Sequence, residues 1–147
     1  MTLENLIGKG LEREPANKVE IERLLDKIAT KLADARVESI SLETRFDIAY
    51  EALLQIGLVA LRNHHLRPNS RGGHHAIALQ SLPLTIGYPR EKVRILDEFR
   101  KQRAAGLYDG SFSPSESELR ELIVATTEIY ILLQGWLERH QSDLLKR

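Results

Sequence analysis

Apolar residues recur every three or four positions along most of this chain, a period that predicts helices throughout. Pro15-Ala16-Asn17 is a start signal. The stripe Ile21, Leu24, Leu25, Ile28, Leu32 and Ala35 then predicts an amphipathic helix over 18–37. Upstream, Leu3, Leu6 and Ile7 form a short amphipathic turn that Gly8 and Gly10 break. Ser41 caps a second helix running to residue 63. Phe46, Ile48, Ala49, Leu53, Leu54, Ile56, Leu58 and Leu61 make that helix apolar on more than one face, as expected of a helix central to a bundle. Gly57 within it suits close packing against a neighbour. Residues 66–73 read as loop, 74–86 as a shorter helix closed by Gly87 and Pro89, and 90–106 as another helix. Ser113 is the expected cap of the last helix, with Pro114 in its first turn and Glu116 completing a capping box. Its stripe runs unbroken through Leu119, Leu122, Ile123, Thr126, Ile129, Tyr130, Leu133, Trp136 and Leu137. No run alternates at period two and no internal repeat is present. The expected fold is all-α, an up-and-down bundle of four to five helices in one domain over 1–147. Residues 1–16 would form an N-terminal extension and 17–140 the bundle.

One helix departs from simple patterning. Val93, Leu96 and Phe99 mark a core-facing stripe, and continuing it reaches Arg100 and Arg103 before Leu107 and Tyr108. A guanidinium cannot shed its charge, so on such a stripe it needs a carboxylate, a phosphate or another acceptor. Carboxylates from neighbouring helices would satisfy both arginines; an anionic ligand would do so too, with Tyr108 orienting the bound group.

Composition narrows the chemistry. The chain has equal numbers of basic and acidic residues, 21 of each, so no global field draws it to nucleic acid or membrane. It has no cysteine, which excludes disulfides and thiol catalysis and fits a cytoplasmic protein. The N-terminus shows no basic leader before an apolar run, and the apolar runs are far shorter than the roughly 20 residues that span a bilayer. No membrane association is expected. Charge is nevertheless segregated: no acid occurs between Glu51 and Glu91, an interval holding Arg62, Arg67, Arg71, Arg90, His64, His65, His74 and His75. The loop around Gly72 and Gly73 therefore suits phosphate tracking by Arg67, Arg71, His74 and His75, with the start of the next helix adding its positive end; a solvated loop that lacks acids is the plainer alternative. The histidines come as adjacent pairs, whose side chains diverge by about 100 degrees on a helix. With no neighbouring carboxylate, a metal site is not expected, nor is any cofactor. Helix-end packing by one histidine of each pair is the plainer role.

Arg100-Lys101-Gln102-Arg103 followed by Tyr108-Asp109, between an amphipathic helix and a long capped one, resembles the HEPN superfamily, as does Arg71-Gly72-Gly73-His74-His75. The likeness covers 41–140. It implies a helical bundle, often dimeric, whose signature is an arginine followed four to six residues later by a histidine. It also implies RNA binding or metal-independent cleavage, or pairing with a nucleotidyltransferase in a toxin–antitoxin module. Arg103 matches the motif arginine, while Tyr108 stands in the histidine's place and Ala104 in that of a frequent polar residue. A phenol titrating near pH 10 is a poor proton exchanger at neutrality but a good donor and stacking surface.

Three expectations follow. The first is a non-catalytic HEPN-type module that binds RNA, a nucleotide or a protein partner. The second is a ribonuclease using Arg103, with His74, His75 or a residue of a second copy replacing the lost histidine if the loop folds over the Arg103 end. The third is a purely structural assembly. The aromatic surface of Tyr130, Leu133, Trp136 and Leu137 is expected as core or, where exposed, as the face of a homodimer.

Overall fold

The computed structural model describes residues 2–69 and 73–140. Its elements run α1 (Leu3–Leu6), β1 (Leu11–Arg13), α2 (Lys18–Ala35), α3 (Leu42–Arg62), β2 (Leu66–Pro68), α4 (His74–Gln80), α5 (Leu82–Thr85), a 3-10 turn (Arg90–Lys92), α6 (Val93–Tyr108) and α7 (Glu116–Arg139). The architecture is the expected mostly helical bundle. Among the described residues, no helix is long and apolar enough to cross a membrane.

α3 is the central member. It packs against α2, α4, α5, α6 and α7, and Phe46, Ala49, Tyr50, Leu53, Ile56 and Ala60 along it are all buried. Each fully buried large side chain contributes about 1.5–3 kcal/mol, so a helix apolar all round is stable only where partners cover it on every side. α2 supplies Ile21, Ile28, Leu32 and Ala35 to this core; α6 supplies Leu96 and Phe99, and α7 supplies Leu119, Leu122, Ile129 and Leu133. Asn17 and Ser41 cap α2 and α3 through their side-chain oxygens, which accept from the backbone of Glu20 and Thr44.

Three details depart from the sequence reading. The cap of α7 is Ser115, not Ser113, and its capping-box partner is Glu118, not Glu116. The shifted start places Pro114 before the cap and Leu119 in the first turn, both buried, which are the two positions of a hydrophobic staple. The expected helix over 74–86 is two short helices broken at Ser81, because Pro83 has no N–H with which to continue the ladder. β1 and β2 pair antiparallel, Glu12 opposite Arg67, where loop was expected. Leu11 and Leu66 bury against Leu61 in a second apolar cluster that also gathers Leu3, Leu6, Ile7 and Ile77. The N-terminal residues are thereby bound to the end of α3.

Candidate functional site

Arg62 shows how this fold treats an arginine that is structural. It is 9% exposed; its Nε and Nη2 donate to Glu20 at 3.0 and 3.2 Å, and its remaining donors reach the carbonyls of Glu14, Pro15 and Leu66. Arg67 is treated likewise, forming ion pairs with Glu12 and Glu14 across the two-stranded sheet. The acid-free interval is therefore supplied with carboxylates from the N-terminal segment, and two of its basic residues are already balanced. His64 and His65 are structural too. His64 Nε2 bonds the Thr85 carbonyl at 2.8 Å and its ring lies 5.0 Å from that of Trp136, while His65 Nδ1 accepts from the Ala16 N–H at 2.9 Å. Trp136 in turn stacks on His140 at 3.9 Å.

The arginine helix differs. Arg100 Nε donates to Asp97 at 2.8 Å, and Lys101 shares the same carboxylate at 3.4 Å, so the Asp97 carboxyl is held below its usual range first by the Arg100 hydrogen bond. Arg103 has no such partner among the described residues: its Nε is buried without an acceptor, and no ion pair joins it to a described carboxylate. What it meets is the Tyr50 ring of α3, 5.8 Å from its guanidinium carbon to the ring centroid, a cation–π contact. Asp47, one turn earlier on α3, feels the Arg103 charge, yet burial outweighs it and lifts this carboxyl above its ordinary value; Glu43 and Glu51 push the same way.

α4 brings His75 to this group. Tyr50 Oη and His75 Nδ1 lie 3.0 Å apart, with ring centroids at 5.8 Å. Burial depresses the His75 pKa, and Arg103, Arg100 and His74 depress it further, so the imidazole is neutral at pH 7. The site is therefore Tyr50, His75, Arg100 and Arg103, assembled from α3, α4 and α6. The close approach of α4 depends on Gly57, where an added Cβ would lie 2.7 Å from the Ala78 carbonyl oxygen.

Of the residues singled out by sequence, Arg100, Arg103 and His75 come together. His74 is exposed at the start of α4. Tyr108 is 80% exposed at the end of α6, and the aromatic against Arg103 is Tyr50 instead. Arg67 is engaged by Glu12 and Glu14 across the β1–β2 pair, and Arg71 lies outside the described residues. Tyr50 carried a signal of its own: it falls four residues after Phe46 and three before Leu53, so a hydroxyl rides on the most buried face of α3 and needs a partner. Among the described residues, no group of three or more histidine, aspartate and glutamate side chains is placed to hold a metal.

A cavity of about 10 Å3 lies where Arg103 meets Glu43, Asp47 and Phe112, and it is lined by none of Tyr50, His75 and Arg100. Larger surface cavities, of about 240 Å3 between α2 and α7 and about 620 Å3 beside Arg45 and Arg120, are lined by none of the four cluster residues. No family model, curated protein or solved structure matches this chain.

Proposed function

We propose that this protein is a helical RNA-binding module that holds phosphodiester oxygens against Arg103, Arg100 and His75. The observation behind the reading is Arg103, a cation with a buried Nε that lacks an acceptor in a protein that balances Arg62 and Arg67 completely. An unsatisfied charged donor costs more than a lost neutral hydrogen bond. The Arg103 side chain as a whole is only half-buried, so a phosphate would offset that cost through the guanidinium charge while the Nε stays covered. Shape favours RNA over a free nucleotide: the two large cavities, of about 240 and 620 Å3, are lined by none of the cluster residues, whereas small-molecule sites are enclosed by the residues that bind the ligand. A ligand lying across the surface suits such a site. The resemblance to the HEPN superfamily points the same way, and it also supports a homodimer and a nucleotidyltransferase partner. For the homodimer, the exposed Leu107 and Tyr108 at the end of α6 are the contact surface we favour.

Cleavage is the second reading, and His75 is the observation that favours it, since it brings an imidazole to the motif arginine from another helix. One experiment separates the two. Short single-stranded RNA is titrated with wild-type protein and with Arg103→Ala in the presence of chelator, and the RNA is then run on a gel. Binding without breakage, weakened about tenfold or more in the variant, is the expected result, as for loss of a charge-assisted hydrogen bond of about 1.5–3 kcal/mol. Equal affinity of the two folded proteins would sink the proposal. Breakage that vanishes in the variant would establish the ribonuclease.

A further inference from the structure

Tyr50 places a phenol where packing alone needs only a hydrocarbon. It is 1% exposed in the middle of α3, and burying a hydroxyl there is unfavourable unless the group is hydrogen-bonded. The only hydrogen-bond partner of its oxygen among the described residues is His75 Nδ1, at 3.0 Å. Burial pushes the phenol up to about 12, so it keeps its proton at any working pH. That proton needs an acceptor, and Nδ1 is the one in reach. A neutral imidazole that accepts at Nδ1 carries its own proton on Nε2. Among the described residues no group bonds Nε2, which leaves that N–H for a ligand. The face of the same phenol ring carries the Arg103 guanidinium.

We infer that Tyr50 is a positioning residue for the phosphate site, fixing His75 in the Nε2–H form and seating Arg103 beside it. The inference rests on the RNA-binding reading and adds a reason why RNA stays intact. Metal-independent cleavage begins with removal of the ribose 2′-hydroxyl proton, and a ring nitrogen that already bears a proton cannot take another. The site so built offers phosphate two kinds of donor, a neutral N–H and a guanidinium, and its imidazole is not the base. Every charged or titratable group that acts on His75 works against its protonation: Arg100 and Arg103 from α6 and His74 from its own helix. Protonation at Nδ1 would also remove the acceptor of the Tyr50 hydroxyl.

The test has two arms. Long-range proton–nitrogen NMR of the histidine rings in the free protein at neutral pH reads the tautomer directly. Wild type is expected to show His75 as Nε2–H, and Tyr50→Phe, which keeps the ring and the core volume, a mixture of tautomers. RNA titration is the second arm. Tyr50→Phe should lose about three- to tenfold in affinity, the scale of one hydrogen bond. His75→Ala, which removes both the acceptor of the Tyr50 hydroxyl and the outward N–H, should lose at least as much as Tyr50→Phe. A wild-type ring found as Nδ1–H or as the cation overturns the inference whatever RNA does. So does a Tyr50→Phe protein with mixed tautomers and undiminished affinity. Absence of RNA binding by wild type would remove the binding reading and the phosphate role of Tyr50 together, while the NMR arm would still decide the tautomer.

Discussion

Arg62 and Arg103 bring the same guanidinium into partly dry surroundings and differ in what awaits them. Arg62 finds a carboxylate and three carbonyls, and Arg103 finds an aromatic ring and an unsatisfied Nε. Their substitution should therefore act in opposite directions. Arg62→Met strands Glu20 and the carbonyls of Glu14, Pro15 and Leu66, with an expected cost of about 2–4 kcal/mol. Arg103→Met removes a cation that lacked an acceptor and replaces it with a side chain able to cover Tyr50, so stability should hold within about 0.5 kcal/mol or rise. Urea unfolding midpoints measure both; a large loss from Arg103→Met would mark that residue as structural. The titrating residues add a pH signature. Glu20 is held below its ordinary value of 4.5, first by its hydrogen bond from Arg62, so its contribution is present above that pH and lost as pH falls through the folded value. His75 lies below its ordinary 6.5, chiefly through burial, so the unfolded chain binds the proton more readily. Stability must then fall as pH drops from 6.5 toward the folded value. Midpoints measured across this range should show the decline in wild type and lose it in His75→Gln; an unchanged decline would place the titration elsewhere.

Among the elements, the contact of α3 with α4 decides whether the site exists. Gly57→Ala would gain roughly 1 kcal/mol of helix propensity. The added methyl, however, meets the Ala78 carbonyl at 2.7 Å, backbone that cannot swing aside. Overpacking of this kind costs about 1–3 kcal/mol. The clash wins, and α4 must shift, taking His75 away from Tyr50. The expected outcome is a lower melting temperature with weaker RNA binding, and with the His75 tautomer no longer fixed. Long periodic elements were legible from sequence: Asn17 and Ser41 cap α2 and α3 as their hydroxyl and amide chemistry dictates. Short elements were not. β1 and β2 have three residues each, too few for alternation to register, and their pairing depends on Leu11 and Leu66 meeting Leu61 across the chain. Two serines ahead of α7 share the same spacing to a glutamate, and burial of Pro114, which no local pattern encodes, selects the second. The site was half legible for the same reason. Arg100 and Arg103 stood out because charge interrupted a stripe, whereas Tyr50 lay within one, and its tie to His75 spans two helices and a loop.

At the scale of the whole molecule, the zero net charge hides an uneven distribution of work. Glu12, Glu14 and Glu20 from the N-terminal third neutralise Arg67 and Arg62 at one end of α3, and Asp97 neutralises Arg100 on α6. Arg103 alone of these keeps its charge uncompensated by contact. RNA affinity should therefore depend on few released counterions and decline gently with salt. Each phosphate neutralised on a single strand contributes about 0.7 to the magnitude of the slope of log affinity against log salt. Arg103→Ala should reduce that slope by about 0.7, and Arg67→Ala, whose cation is already held by two carboxylates, should leave it as in wild type. Titrations at several salt concentrations measure all three proteins. A slope that flattens on loss of Arg67 and ignores Arg103 would move the RNA path onto the β1–β2 sheet, and would mean that RNA displaces Glu12 and Glu14 from a cation they hold in the free protein.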